Sequence, residues 1–304
     1  MPPVSPIESR ANRGIAFVLM SQIVLVVLDV SAKWLSLEGM ATTQIVFMRY
    51  GMHLALLLLL VLPVSGVNLM KSNNLKLELL RGVCLLATTG LNFFAMRFLP
   101  LTVTSAIQFT SPLLICAMSG PLLGEKVGWR RWLAIAVGFI GILIIVRPGS
   151  EAFHPAAFLS LGCAIFLALF SILTRKLAGV DTASTQQFFA GATPVILLSP
   201  IAFTDWVWPE QPISWVAFFV MGMAGLGGHF LNSVAHRFAS PATLAPFSYL
   251  SLLYLSLASW LIFNQPPDRI FILGAAIIIL SGLYIWLRER QLAKAVVTPV
   301  NEPA

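Results

Sequence analysis

LNFFAMRF occupies Leu91–Phe98, and LNSVAHRF occupies Leu231–Phe238. Five of the eight positions are identical across a spacing of 140 residues. An asparagine and an arginine recur in or beside strongly apolar stretches, so the match is not a by-product of greasy composition. It also continues outward. ATTQ at Ala41–Gln44 is answered by ASTQ at Ala183–Gln186, Phe47 by Phe189, and Ala16-Phe17 by Ala157-Phe158. Ser111 is answered by Ser251 and Ser119 by Ser259, with the offset held between 140 and 142. The chain therefore reads as one unit written twice.

The unit lies in a membrane. Of 304 residues, 58% are hydrophobic and 10% charged, against about 25% charged in a soluble domain. That leaves too little polar side chain for an aqueous coat, so lipid is the expected solvent for most of the surface. A membrane helix needs about 20 apolar residues, and ten such runs are present, near 14–36, 41–63, 77–98, 101–123, 130–147, 154–176, 183–203, 213–236, 242–263 and 269–287. Residues 1–13 and 289–304 then form tails, and 14–150 and 151–288 each hold five spans. The first run follows Arg10 and Arg13 directly and is too long for a cleaved secretory signal, so it reads as an uncleaved first span.

Basic residues set the direction. Fourteen of them, Arg10, Arg13, Lys71, Lys76, Arg81, Lys126, Arg130, Arg131, Arg175, Lys176, Arg237, Arg288, Arg290 and Lys294, fall on the side that holds both termini. Only Lys33, Arg97, Arg147 and Arg269 fall on the other. Both termini are expected in the cytoplasm. The net charge of +7 is spread between apolar runs instead of forming a basic face, which argues against nucleic acid as a partner. Cys84, Cys116 and Cys163 lie in apolar runs without CxxC spacing. They read as buried small hydrophobes, with no disulfide framework, metal or cofactor implied.

A five-span unit has an odd number of crossings, so its second copy must run through the membrane in the opposite sense. The expected fold is all-α: ten transmembrane helices as two inverted five-helix repeats around a central cavity. Inverted repeats are the common design of secondary transporters and give two similar packings, one open to each side. A duplication kept for stability, and a channel, are the competing readings.

Ionisable groups inside the bilayer are functional suspects by default. Asp29 is the one acid well within a run, and Lys33 lies four residues on, able to pair with it on one helix face. The two form either a site for a substrate amine or proton, or an ion pair near the outer interface. Arg49, with His53 four residues later, can receive a substrate carboxylate, cap backbone carbonyls, or pair with Asp29. Asn92 and Asn232, the repeated pair, either line the cavity or act as interhelical hydrogen-bond glue. His229 shares a face with Asn232 beside Gly225, Gly227 and Gly228. Gln22, Gln108, Gln186, Gln187, Ser248, Tyr249 and Tyr254 complete the polar set. Gln108-Phe109 and Ser248-Tyr249 stand in corresponding places, as walls that could stack a flat ligand or as ordinary packing. Pro112, Pro194 and Pro246 favour kinks. Trp206 and Trp208 read as interface anchors.

Ser111-Pro112-Leu113-Leu114, the Gly124-Glu125-Lys126 turn, and Ile145-Val146-Arg147-Pro148-Gly149 resemble the drug/metabolite transporter superfamily. The resemblance is to its ten-span EamA-type carriers and extends over about residues 13 to 288. Leu159-Ser160-Leu161-Gly162 and Thr174-Arg175-Lys176 are similar in kind, whereas Asn264-Gln265 replaces the Glu-Lys turn in the second half. The resemblance implies a carrier of small metabolites in a bacterial inner membrane, with the aromatic amino-acid exporter branch as the expectation for substrate. Uniport fits the shortage of membrane acids. The alternative is another metabolite or drug, such as a vitamin, a nucleotide-like compound or an organic cation, possibly moved with a proton. An integral membrane enzyme is remote: there is no HExxH, no paired intramembrane carboxylates and no Ser-His-Asp cluster. Small-molecule substrate and lipid bilayer are the implied partners. The Gly120-xxx-Gly124 spacing and the glycine-spaced fifth run suit packing either within the molecule or between two copies.

Overall fold

The computed structural model describes residues 6–123, 128–151, 153–177, 179–238, 244, 247 and 249–297. Side chains are described over the same stretches except 6–11, 119–120, 123, 131, 175, 233, 236–237 and 289–297. The Gly124-Glu125-Lys126 turn, Pro246 and Ser248 lie outside the described residues, as do the side chains of Ser119, Arg131, Arg175, Arg237, Arg290 and Lys294.

Helices occupy each of the ten apolar runs. They are α1 (Pro6–Leu37), α2 (Thr42–Ser65), α3 (Leu75–Met96), α4 (Leu101–Gln108), α5 (Ser111–Leu123), α6 (Trp129–Val146), α7 (Ala157–Leu177), α8 (Ala183–Leu198), α9 (Pro212–Phe238), α10 (Leu250–Phe263) and α11 (Arg269–Val297). Apart from an isolated bridge at Asp181, the described residues contain no strand. Seven helical stretches are long and apolar enough to cross a membrane: Asn12–Leu37, Thr42–Met70, Leu75–Met96, Leu101–Met118, Ala157–Thr174, Pro212–Asn232 and Arg269–Arg288. Trp132–Val146 and Leu250–Phe263 are apolar but shorter.

Helix α1 begins at Pro6 and α11 runs on to Val297, past the ends of the first and tenth runs, and two further boundaries differ, each for a proline. The fourth run breaks at Phe109-Thr110, between α4 and α5. Pro112 has no N–H to return to the Gln108 carbonyl, and the Thr110 hydroxyl closes the preceding turn on the Ile107 carbonyl at 2.6 Å. The seventh run stops at Leu198: Pro200 has no N–H to return to the Ile196 carbonyl, which the Ser199 hydroxyl takes instead at 2.9 Å. The starts of α3 and α8 carry matching caps. Asn74 Oδ1 accepts from the Leu77 amide and Thr182 Oγ1 from the Thr185 amide, both at 3.2 Å.

Helix α1 packs on α9 and α10, α2 on α8 and α9, and α3 on α7 and α8. Helix α7 also meets α4 and α5, α4 meets α10, and α6 meets α11. Large apolar side chains such as Leu59 and Phe230 point outward, as lipid contact requires. Inside, one cluster joins α1, α2, α3, α8, α9 and α10 around Leu28, Tyr50, Phe93 and Phe218, and a second joins α4, α6, α7, α10 and α11 around Ile107, Ile142 and Ile278. Glycines set the closest approaches. A Cβ on Gly82 of α3 would stand 2.6 Å from that of Thr193 on α8. Gly222 of α9, 140 residues later, is covered in the same way by Met52 of α2. On α6 and α11, a Cβ at Gly141 would meet the Gly274 carbonyl at 2.8 Å, and one at Gly274 would meet the Gly141 carbonyl at 2.7 Å. The glycine-spaced fifth run thus packs within the molecule. The three cysteines are free and buried.

Candidate functional site

Arg49 stands about two turns into α2 and is buried. Its Nη1 donates to Thr89 Oγ1 on α3 and to the hydroxyl of Tyr50 at 3.2 Å. Tyr50 in turn meets Thr89 Oγ1 at 2.6 Å and donates to the Leu85 carbonyl at 3.1 Å. The guanidinium lies 4.8 Å from the Tyr50 ring centroid and 5.7 Å from that of Phe93. Two rings and two hydroxyls therefore hold its plane. His53, one turn along α2, has Gly191 of α8 against it, where a Cβ would sit 3.2 Å from the imidazole. Gly191 is also the repeat counterpart of Arg49, so the half without the cation supplies the space for its neighbour. Arg49, Tyr50, His53, Arg81, Leu85, Phe170, Gln187, Ala190 and His229 line one cavity. The room in it for the centres of water-sized spheres is about 20 Å³, enough for one or two waters at roughly 10–15 Å³ each.

The inner wall of this cavity was not legible beforehand. Arg81 and Glu78, on α3, are both buried, 3.5 Å apart. Arg81 also donates Nε to Thr174 Oγ1 on α7 at 2.8 Å and Nη1 to the Gln186 carbonyl on α8 at 2.9 Å, and it stacks 4.5 Å from the Phe170 centroid. It ties three helices together and is not a charge at the membrane surface. The neglected signal was position: Arg81 stands inside the 77–98 run, one turn from an acid on the same face.

Polar contacts close the bundle at both ends. At the end bearing the basic turns, termed inner, Asp181 accepts from Ser72 Oγ at 2.5 Å, from the Asn73 amide at 2.7 Å and from Asn73 Nδ2 at 3.0 Å. The small burial of Asp181 raises its pKa, but these hydrogen bonds outweigh it and hold the carboxyl below the usual 3.8. A depressed carboxylate stabilises the closure above its ordinary pKa and loses that contribution only as pH falls through the lower, folded value. The closure is therefore expected to be unchanged between pH 8 and 5 and to weaken below about 3.8. Cysteine introduced at Asn73 in Asp181→Ala should label about twofold to fivefold faster than in the Asp181 background, a surface-latch effect of about 0.5–1 kcal/mol. At the outer end, Gln44 exchanges two hydrogen bonds with the Val207 backbone, at 2.8 and 3.1 Å, and Arg147 pairs with Asp268 in the open.

The proposed Asp29–Lys33 pair is not formed. Lys33 Nζ turns to the Leu99 carbonyl at 3.1 Å and Gln265 Oε1 at 2.8 Å, over the Phe263 ring. Its length lets it reach two outer turns whose carbonyl and amide oxygens need a donor. Asp29 is half-buried and feels the charge of Arg49, yet among the described residues no ion pair within 4 Å joins them. Asn92 Oδ1 accepts from Gln108 Nε2 at 2.5 Å, a bond between α3 and α4. Asn232 and Gln22 are half-buried on α9 and α1, outside the residues lining the Arg49 cavity. Tyr249 stacks with Phe109, its counterpart 140 residues earlier, at 5.4 Å, and its hydroxyl presses on Gly282 of α11. It therefore fills a helix contact and is not part of the Arg49 cavity wall. Tyr254 packs against the cluster around Tyr50 and Phe93. Trp208 is exposed, whereas the indole N–H of Trp206 is buried. Among the described residues no group of His, Cys, Asp or Glu is placed to hold a metal.

The model of the EamA-like transporter family matches the chain twice, over residues 12–147 and 154–287. An S-adenosylmethionine uptake transporter of Rickettsia prowazekii is 26% identical over 91% of this chain and 94% of that protein. A riboflavin transporter of Vibrio cholerae is 28% identical over 94% and 99%. A pseudopaline exporter of Pseudomonas aeruginosa is 26% identical over 78% and 84%. A solved crystal structure superposes with a TM-score of 0.62 over 93% of this chain and 98% of the other, at 18% identity, a likeness of fold.

Proposed function

Since this chain belongs to the EamA-like transporter family, we propose that it is a secondary carrier moving a small metabolite across a bacterial cytoplasmic membrane by alternating access. That it is a multi-pass membrane transporter follows from the family and the apolar helices. The single observation that carries the rest is the polar cavity around Arg49, set between helices from both halves, with polar contacts at each end of the bundle.

Two inverted five-span repeats, 14–150 and 151–288, remain the preferred architecture. The packing supports it. Exchanging α1 with α7, α2 with α8, α3 with α9, α4/α5 with α10 and α6 with α11 leaves the set of main packed pairs unchanged. The Phe109–Tyr249 contact joins corresponding residues, as happens on a two-fold axis. Two such halves can pack in either of two senses around one site. Charge placement favours both termini in the cytoplasm.

The relatives shift the substrate expectation. Those named for S-adenosylmethionine and riboflavin favour a vitamin or nucleoside-like metabolite over an aromatic amino acid. Coupling is also less constrained than composition suggested, because Glu78 is a buried acid in addition to the half-buried Asp29. Purified protein in liposomes, given labelled riboflavin, S-adenosylmethionine and tryptophan with and without a pH gradient, should show saturable flux of one of the first two, exceeding that of tryptophan by about tenfold or more. Folded protein that passes none of the three would overturn the carrier reading for this substrate class.

A further inference from the structure

We infer that Arg49, His53 and His229 form a subsite for one carboxylate of the transported molecule. The inference rests on the carrier reading and adds the chemistry of the substrate.

Among the described residues, every hydrogen bond from Arg49 leaves from Nη1, and both acceptors are hydroxyls. The Nε/Nη2 edge, which grips a carboxylate with two parallel hydrogen bonds, is not claimed by the protein. The space beside that edge is kept by Gly225, where even a Cβ would stand 3.9 Å from Nε. Among the described residues no carboxylate lies within 4 Å of the guanidinium. A buried cation without a close counter-ion is costly unless something else supplies the charge.

The histidines add a second, independent indication. His53 is 5% exposed and its Nε2 has no hydrogen-bond partner. A buried polar atom of that kind calls for a ligand or water, and His53 lines the same cavity as Arg49 and His229. The cavity's room for one or two waters suits the two oxygens of a carboxylate. A phosphate dianion would bring three oxygens and a second charge, but the charge of Arg81 is already met by Glu78 at 3.5 Å.

The test uses matched ligands that differ only in the carboxylate. Thermal protection of the purified full chain in detergent would be measured with S-adenosylmethionine and its decarboxylated counterpart, with tryptophan and tryptophanamide, and with riboflavin, which has no carboxylate. The wild type should prefer at least one acid over its partner by about tenfold or more. Arg49→Gln and Arg49→Lys should reduce that preference to within about twofold. The Lys variant keeps the charge but lacks the two-point edge, and unliganded melting of each variant reports folding separately. His53→Gln should give an intermediate loss. Equal protection by acid and partner in the wild type overturns the subsite, as does an Arg49→Gln variant that weakens both equally. Saturable riboflavin flux unchanged by Arg49→Gln also overturns it, while leaving the carrier intact.

Discussion

Arg81→Gln, with Glu78 left in place, is expected to lower the apparent melting temperature of the detergent-purified protein by roughly 10 °C. Both side chains are buried, and neither oxygen of Glu78 has a hydrogen-bond partner. The arginine 3.5 Å away is therefore the main compensation for that carboxylate. Removing one member of a buried pair costs about 3–5 kcal/mol, because the other charge is stranded, and each kcal/mol moves melting by a few degrees in a chain of this size. The substitution also frees the Thr174 hydroxyl and the Gln186 carbonyl, unfastening α3 from α7 and α8. Glu78→Gln alone should be milder, since Arg81 keeps its acceptors and the Phe170 ring. The double change Glu78→Leu with Arg81→Met should restore most of the loss, as apolar replacements of whole ion pairs do. If Arg81→Gln melts like the wild type, the pair is not a fastening. If the double variant melts as low as the single one, loss of the Thr174 and Gln186 contacts outweighs the stranded charge.

Gly141→Leu should be comparably severe. Here the obstacle is backbone, since a Cβ at 141 falls 2.8 Å from the carbonyl oxygen of Gly274 and 2.9 Å from the Ile278 side chain. A flexible side chain can swing aside, but a carbonyl inside α11 cannot. The two helices must separate, which opens the cluster around Ile142 and Ile278. Overpacking of a tight contact costs about 1–3 kcal/mol and more where backbone must move, so a loss near the upper end, with reduced yield of folded protein, is expected. Gly90→Leu is the matched control, because a Cβ there meets nothing within 4 Å. Similar melting of the two variants would count against the close α6–α11 crossing.

The division into helices was legible because lipid imposes one rule on every span: a run of apolar residues about 20 long. The doubling was legible from a few polar letters, Asn92 with Asn232 and Ser111 with Ser251, which stand out against that background. The break at Phe109-Thr110 was half visible, since Pro112 announced a disturbance but not which carbonyl would be left over. Individual polar partnerships were far less legible. Lys33 was expected to meet the acid four residues away, and instead joins Leu99 and Gln265, which are 66 and 232 residues away. A long side chain near a helix end chooses among all acceptors within its reach, and only the fold says which loops lie there. Arg81 was misread for the opposite reason. A cation near the start of a span resembles a surface charge until helices from the other half close over it. Tyr249 aligned well with Phe109 in sequence, and the alignment was informative, but it marked a place where the halves touch each other and not a wall of the Arg49 cavity.

The two closures differ in kind. The inner one joins an aspartate to a hydroxyl, an amide side chain and a backbone N–H, all neutral donors. The outer one includes a solvent-exposed pair of opposite charges, Arg147 with Asp268. Dissolved ions screen the second far more than the first, since exposed pairs weaken once the Debye length shrinks to about 8 Å near 0.15 M salt. If the carrier works by alternating access with its termini in the cytoplasm, as proposed above, the ionic strength outside the cell should bias its two packings: a dilute medium holds the outer side shut, and a saline one loosens it.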